Sequence, residues 1–140
     1  MKGTALIFRP GNPMPEVTEL DATPKLEFMK AAVGGWIEAI SAFGTFDPGD
    51  LTREAQAVIP GMKPGEILPC AAFCNEEGKL QGQLANTEPT RLWDRALRRV
   101  VEDGKRQFPN GLFRPDGTLT DYLVGPVLVL IGDDDFMEEL

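Results

Sequence analysis

The decapeptide Ala31–Ile40, AAVGGWIEAI, has to end a helix and begin a strand within two residues. Upstream of it, Leu26, Met29, Ala32 and Val33 recur at helical spacing, so one stripe faces a core. Thr23 suits the N-cap and Pro24 the first helical position, where a missing N–H costs nothing. Downstream, WIEAI alternates, with Trp36, Glu38 and Ile40 on one side and Ile37 and Ala39 on the other. Between the two, Gly34 or Gly35 takes the left-handed conformation that a helix end wants and that a Cβ penalises. The glycines account for the switch without a ligand. Close approach of a ligand to their backbone stays open as a second role.

The rest of the chain fits a mixture of helices and hairpins. TALIFRP reads as a first strand, stopped by RPGNPMP, with EVTELDA as its hairpin partner. Residues 43–66 are rich in Gly and Pro and read as a surface excursion, with a short helical pattern from Leu51 to Val58 that Asp50 would cap. In FCNEEGKLQGQL, Asn75 suits the first turn position and Gly78 the left-handed one, which predicts a bulged hairpin. The longest helix begins at Thr87 or Glu88 and ends at Gly104, with Leu92, Trp93, Ala96, Leu97, Val100 and Val101 as its apolar face. YLVGPVLVLI is a buried strand interrupted by Gly125 and Pro126, and proline there implies a bulge or an edge. The expected fold is α+β: a mainly antiparallel sheet with hairpins, packed against two main helices. It occupies residues 1–132, and an acidic tail follows at 133–140.

Composition narrows the functional classes. A chain of 140 residues buries a core without staples, and 42% hydrophobic with 26% charged residues excludes a disordered polymer. A net charge of -8 argues against direct nucleic-acid binding, which depends on neutralising phosphates. No run of 18 apolar residues is present to span a membrane. The opening MKGTALIFRPGNP meets Arg9 and Pro10 too soon for a signal peptide, so a cytoplasmic protein is expected. Cys70 and Cys74 lie about 13 Å apart if both are on one strand, too far for a disulfide. They read as buried, reduced thiols.

VGGWIEAI, CNEEGKLQGQLAN and DYLVGPVLVLIGDDD, in this order, resemble the family called domain of unknown function 3846, small proteins of bacteria, plasmids and phages, many of them actinobacterial phages. The motif positions here are Val33, Gly34, Gly35, Trp36, Ile37 and Glu38, then Asn75, Glu76, Glu77, Gly78 and Lys79, then Asn86 and Gly125. The resemblance is discontinuous and spans residues 2 to 132. The sequence departs from the family pattern in a longer excursion at 43–66, in Thr87-Glu88-Pro89 and in Pro126. The resemblance implies a phage or mobile-element accessory protein, and it implies no activity.

The chemistry available is sparse. The chain has no histidine, one serine (Ser41) and one tyrosine (Tyr122), so a nucleophile with an adjacent base lacks its parts. No phosphate loop, dinucleotide fingerprint or metal spacing occurs, and no cofactor or metal is expected. Glu38 and Glu76 could form an acid/base pair; their plainer reading is an exposed strand carboxylate and a turn residue. Arg91, Arg95, Arg98, Arg99, Lys105 and Arg106 suggest an anion patch, or simply a solvated helix face. The tail GDDDFMEEL is read as a disordered, solubilising end, with a nucleic-acid mimic or a segment folded back on the arginine helix as alternatives. The expectation is therefore a non-enzymatic binding protein with a host protein as partner. The alternative is a pocket for a small nucleotide-like anion. Trp36, Glu38, Asn75, Glu76, Asn86, Arg91 and Arg95 are the candidate binding residues, and Gly34, Gly35, Gly78 and Gly125 the structural glycines.

Overall fold

A computed structural model describes residues 2–59, 61–102 and 113–140. The chain runs β1 (Gly3–Phe8), β2 (Glu16–Leu20), α1 (Leu26–Val33), β3 (Ile37–Ala39), β4 (Thr45–Phe46), a 3-10 turn (Pro48–Asp50) and α2 (Arg53–Val58). It continues through β5 (Leu68–Pro69), β6 (Ala71–Asn75), α3 (Thr87–Glu102), β7 (Val127–Gly132) and α4 (Asp134–Glu138). Five strands form an antiparallel sheet in the order β2-β1-β7-β6-β3, and β4 and β5 form a separate ribbon. The molecule is a single-domain α+β fold.

β1 and β7 lie at the centre of the sheet, and both are covered on both faces. All six residues of β1 are buried, and all of β7 except Gly132. This explains why neither strand alternates cleanly in sequence: a strand with no solvent face has no polar positions to show. On one face Ala5, Ile7, Leu128 and Leu130 pack with Met29, Ala32 and Val33 of α1 and with Phe136 of α4. On the other, Leu6, Phe8, Val127, Val129 and Ile131 pack with Leu92, Trp93, Ala96 and Leu97 of α3. Pro126 does not interrupt the closing strand; the ladder begins immediately after it, and Gly125, at φ +66°, makes the turn into it. A proline placed just before the first paired residue removes no ladder hydrogen bond.

Several local expectations give way to tertiary contacts. The excursion at 43–66 is no surface ornament, because Phe43, Phe46, Leu51, Ala55 and Ile59 all enter the α3-side core. Asp50 does not cap α2. Thr52 does, accepting from the Ala55 N–H at 3.2 Å, while the Asp50 carboxylate binds Arg99 at 3.0 Å. Thr23 does not cap α1, whose N-cap is Lys25 without a side-chain bond. The Thr23 hydroxyl instead donates to the Phe136 carbonyl at 2.9 Å. The predicted hairpin after Asn75 does not form: turns follow from Glu76 to Gly82, and β6 pairs with β3 and β7. Gly78 does not take the left-handed conformation; Gly82 does, at φ +68°. What Gly78 provides is room, since a Cβ there would lie 2.9 Å from Val124. Gly104, the expected helix stop, lies outside the described residues.

The C-terminal acids also depart from expectation. Residues 134–138 form α4 with Asp133 as N-cap, and the Phe136 ring is completely buried. The ring lies over the cross-strand pair Gly3 and Gly132, where a Cβ at either position would overlap it. The segment packs on the α1 side of the sheet, opposite the arginine helix. One aromatic residue among the acids, matched to two glycines, is the apolar anchor that docks it.

Candidate functional site

Pairing of β3 with β6 sets Glu38 opposite Cys74 and Ile37 opposite Asn75. Beyond this edge a cavity of about 290 Å3 opens. One wall is Glu38 to Ser41; a second is Cys74, Asn75, Glu76, Gly78, Lys79 and Leu80; a third is Asp121 to Val124. Trp93 of α3 closes the base, and its indole N–H donates to the Ser41 carbonyl at 3.0 Å, which holds the turn after β3.

Asn75 builds this site without facing a ligand. Its side-chain oxygen accepts from the Glu77 N–H at 2.9 Å, and its amide N–H donates to the Val33 carbonyl and the Gln81 side chain, both at 3.4 Å. The same amide lies 2.6 Å from where a Cβ on Gly35 would stand. Gly34 has open space around it and φ +79°, as a helix end requires. The paired glycines thus divide the work: Gly34 ends α1, and Gly35 lets the Asn75 side chain in. The Glu76 N–H then donates to the Trp36 carbonyl at 3.0 Å.

The charged groups of the cavity differ in how they are used. The Lys79 ammonium binds the Asp121 carboxylate and lies 4.7 Å from the centre of the Tyr122 ring. Burial works against ionisation of Asp121, but hydrogen bonds from Lys79 and the Tyr122 N–H prevail and hold it below the usual carboxylate range. Glu38 and Glu76 are exposed at the cavity and make no side-chain hydrogen bond or ion pair among the described residues. Burial, and then the charge of Glu38, push the Cys74 thiol up to about 11. Burial pushes Cys70 up to about 12, with Arg99 opposing. Both thiols are protonated at neutral pH, so neither is an activated nucleophile. Both cysteines are free. Among the described residues no cluster of His, Cys, Asp and Glu could hold a metal ion.

Of the residues singled out in sequence, Glu38, Asn75 and Glu76 meet at this cavity, and Trp36, Asn86, Arg91 and Arg95 do not line it. Trp36 is 60% exposed beside it, with the Lys30 ammonium 3.8 Å above its ring. Asn86 is a buried staple: its amide donates to the carbonyls of Phe8 at 2.8 Å and Gly125 at 2.9 Å. The helix arginines are mostly engaged. Arg91 binds Glu88 and the Asp50 carbonyl, Arg98 binds Asp94, and Arg99 binds Asp50 and Thr45. Arg95 is exposed, and Lys105 and Arg106 lie outside the described residues. Sequence reasoning missed Leu80, Asp121 and Tyr122 as site residues. A signal for Leu80 existed, since an apolar residue in a run of turn residues has no local reason to be there. Comparison with protein-family models, curated proteins and solved structures gives no match to this chain.

Proposed function

We propose that this chain acts by binding a partner protein, with the cavity between Glu38 and Tyr122 at the centre of the contact. The observation that carries this reading is the rim. Leu80 is 89% exposed and Tyr122 51% exposed, directly beside two carboxylates that no described residue satisfies. Apolar anchors set next to polar groups without internal partners are the composition of a protein interface. Protonated thiols and the absence of histidine leave carboxylates as the only side chains here suited to acid/base work, with no thiol or hydroxyl nucleophile paired to them. With Lys79 paired to Asp121 and two further carboxylates in the lining, the cavity disfavours an anionic ligand. The acids at 133–135 belong to a docked helix, so nucleic-acid mimicry has no separate tail to rest on. The family resemblance supplies the setting: an accessory protein of a phage or mobile element, acting on a protein in the cytoplasm of a bacterial host.

Capture from a lysate of such a host, comparing wild type with a Leu80→Asp/Tyr122→Ala double variant, tests the reading. The expected result is one stoichiometric partner retained by wild type and lost from the double variant. Equal capture by both would remove this face from the function.

A further inference from the structure

We propose that the group entering the cavity is the cationic side chain of an arginine or lysine on the partner, its charge between Glu38 and Glu76 and its stem against Tyr122. This rests on the partner-binding reading above and adds to it the chemistry of the partner. The cavity's acidic and basic lining is three carboxylates, Glu38, Glu76 and Asp121, against one ammonium, Lys79. Lys79 is already committed to Asp121, so two carboxylates have no partner among the described residues. The chain itself shows what this wall accepts: it seats an ammonium on a carboxylate, beside the face of Tyr122. An arginine entering from outside meets carboxylate acceptors of the same kind in Glu38 and Glu76.

Size and lining select the same occupant. At about 290 Å3 the cavity lies at the lower edge of the ~300–1,000 Å3 usual for small-molecule pockets and has room for one long side chain. Trp93, Leu123 and Val124 supply apolar surface for methylene groups, while the carboxylates stand at the mouth. A neutral apolar side chain would strip water from Glu38 and Glu76 and return nothing. An acidic one would add like charge to the site.

The test maps backbone amide shifts by NMR in the full chain on titration with N-acetyl-arginine amide and with its neutral isostere N-acetyl-citrulline amide. The arginine compound is expected to move the resonances of Glu38, Cys74, Glu76 and Tyr122, and the citrulline compound to leave them in place. Glu38→Gln/Glu76→Gln should weaken the arginine response by about tenfold or more, as expected for lost charge-assisted hydrogen bonds, with the other resonances unmoved as a check on the fold. Equal response to both probes, no response to either, or an undiminished response in the double variant overturns the inference. Lysate capture separates the two claims. If wild type and Glu38→Gln/Glu76→Gln hold the same partner equally while Leu80→Asp/Tyr122→Ala loses it, partner binding stands and the cationic occupant falls.

Discussion

The C-terminal stretch from Asp133 to Glu139 and the cavity lined by Glu38, Glu76 and Asp121 are both acidic, and they use their carboxylates differently. At the C-terminus the Asp133 carboxylate accepts from the N–H of Phe136 at 3.0 Å and of Lys2 at 2.8 Å, tying helix start to chain start. Those bonds hold Asp133 below the usual carboxylate range. They also hold in place the helix whose Phe136 ring covers Gly3 and Gly132. At the cavity, Asp121 has Lys79, but Glu38 and Glu76 have no partner among the described residues. A net charge of -8 counts both regions alike. What separates Asp133 from Glu38 and Glu76 is whether the described residues supply hydrogen-bond donors. Where they do, the acid maintains the fold; where they do not, the acid is available to something else.

The largest expected effect breaks the C-terminal side of this comparison. Phe136→Ala removes a fully buried ring from over two glycines that have no side chains to fill the space. It should cost about 3–5 kcal/mol in chemical denaturation, and truncation after Gly132 should unfold the chain at least as readily. A truncated chain of wild-type stability would restore the reading of a dispensable tail. Asn86→Ala comes next, at about 2–3 kcal/mol, because two buried carbonyls lose their donor. The Asn86 backbone N–H also donates to the Leu123 carbonyl at 2.8 Å, so loosening the segment around Asn86 should lower arginine binding as well as stability. That outcome would connect the fold to the cavity wall at 121–124.

Smaller effects sharpen the contrast. Gly34→Ala meets no steric obstacle but must hold φ +79°, so about 1 kcal/mol is expected in equilibrium unfolding. Asp133 is ionised more readily in the folded chain than in the unfolded one, where a carboxylate titrates at about 3.9. Its contribution is therefore present above that pH and lost as pH falls through its lower folded value. Asp133→Asn should flatten the acid limb of the stability profile while keeping the cap. Glu38→Gln/Glu76→Gln should change stability by no more than about 0.5 kcal/mol. A clear loss of stability there would mean these carboxylates do serve the fold, and the difference between the two regions would disappear.

Much of the architecture was readable because it is written in short-range patterns. The period of α1, its end at Gly34, the alternation after Trp36 and the apolar face of α3 from Leu92 to Leu97, though not the exposed Val101, each depend on neighbours within a few residues. The site was readable only in part. Glu38, Asn75 and Glu76 were picked out, and they converge because β3 pairs with β6. Tyr122 and Asp121 come from a segment more than 40 residues further on, and nothing local to TDYL marks it as a cavity wall. Thr23, Asp50 and Asn86 mislead in the same way. Each has a good local role, as a cap or a surface donor, and each is used instead by a distant segment: Phe136, Arg99 and Phe8.

By itself, then, the sequence determined that α1 ends at its glycines and a strand follows, that the closing strand would be buried, and that histidine-based chemistry is absent. Those properties follow from backbone sterics, from the period of apolar residues and from composition, none of which needs a third dimension. The tertiary structure alone decided which polar groups would be satisfied. It gave Asn86 two carbonyls, gave Asp133 two N–H groups, and left Glu38 and Glu76 facing an open cavity. A hydrogen bond depends on where two segments meet in space, and a carboxylate reads the same in sequence whether or not its donor arrives.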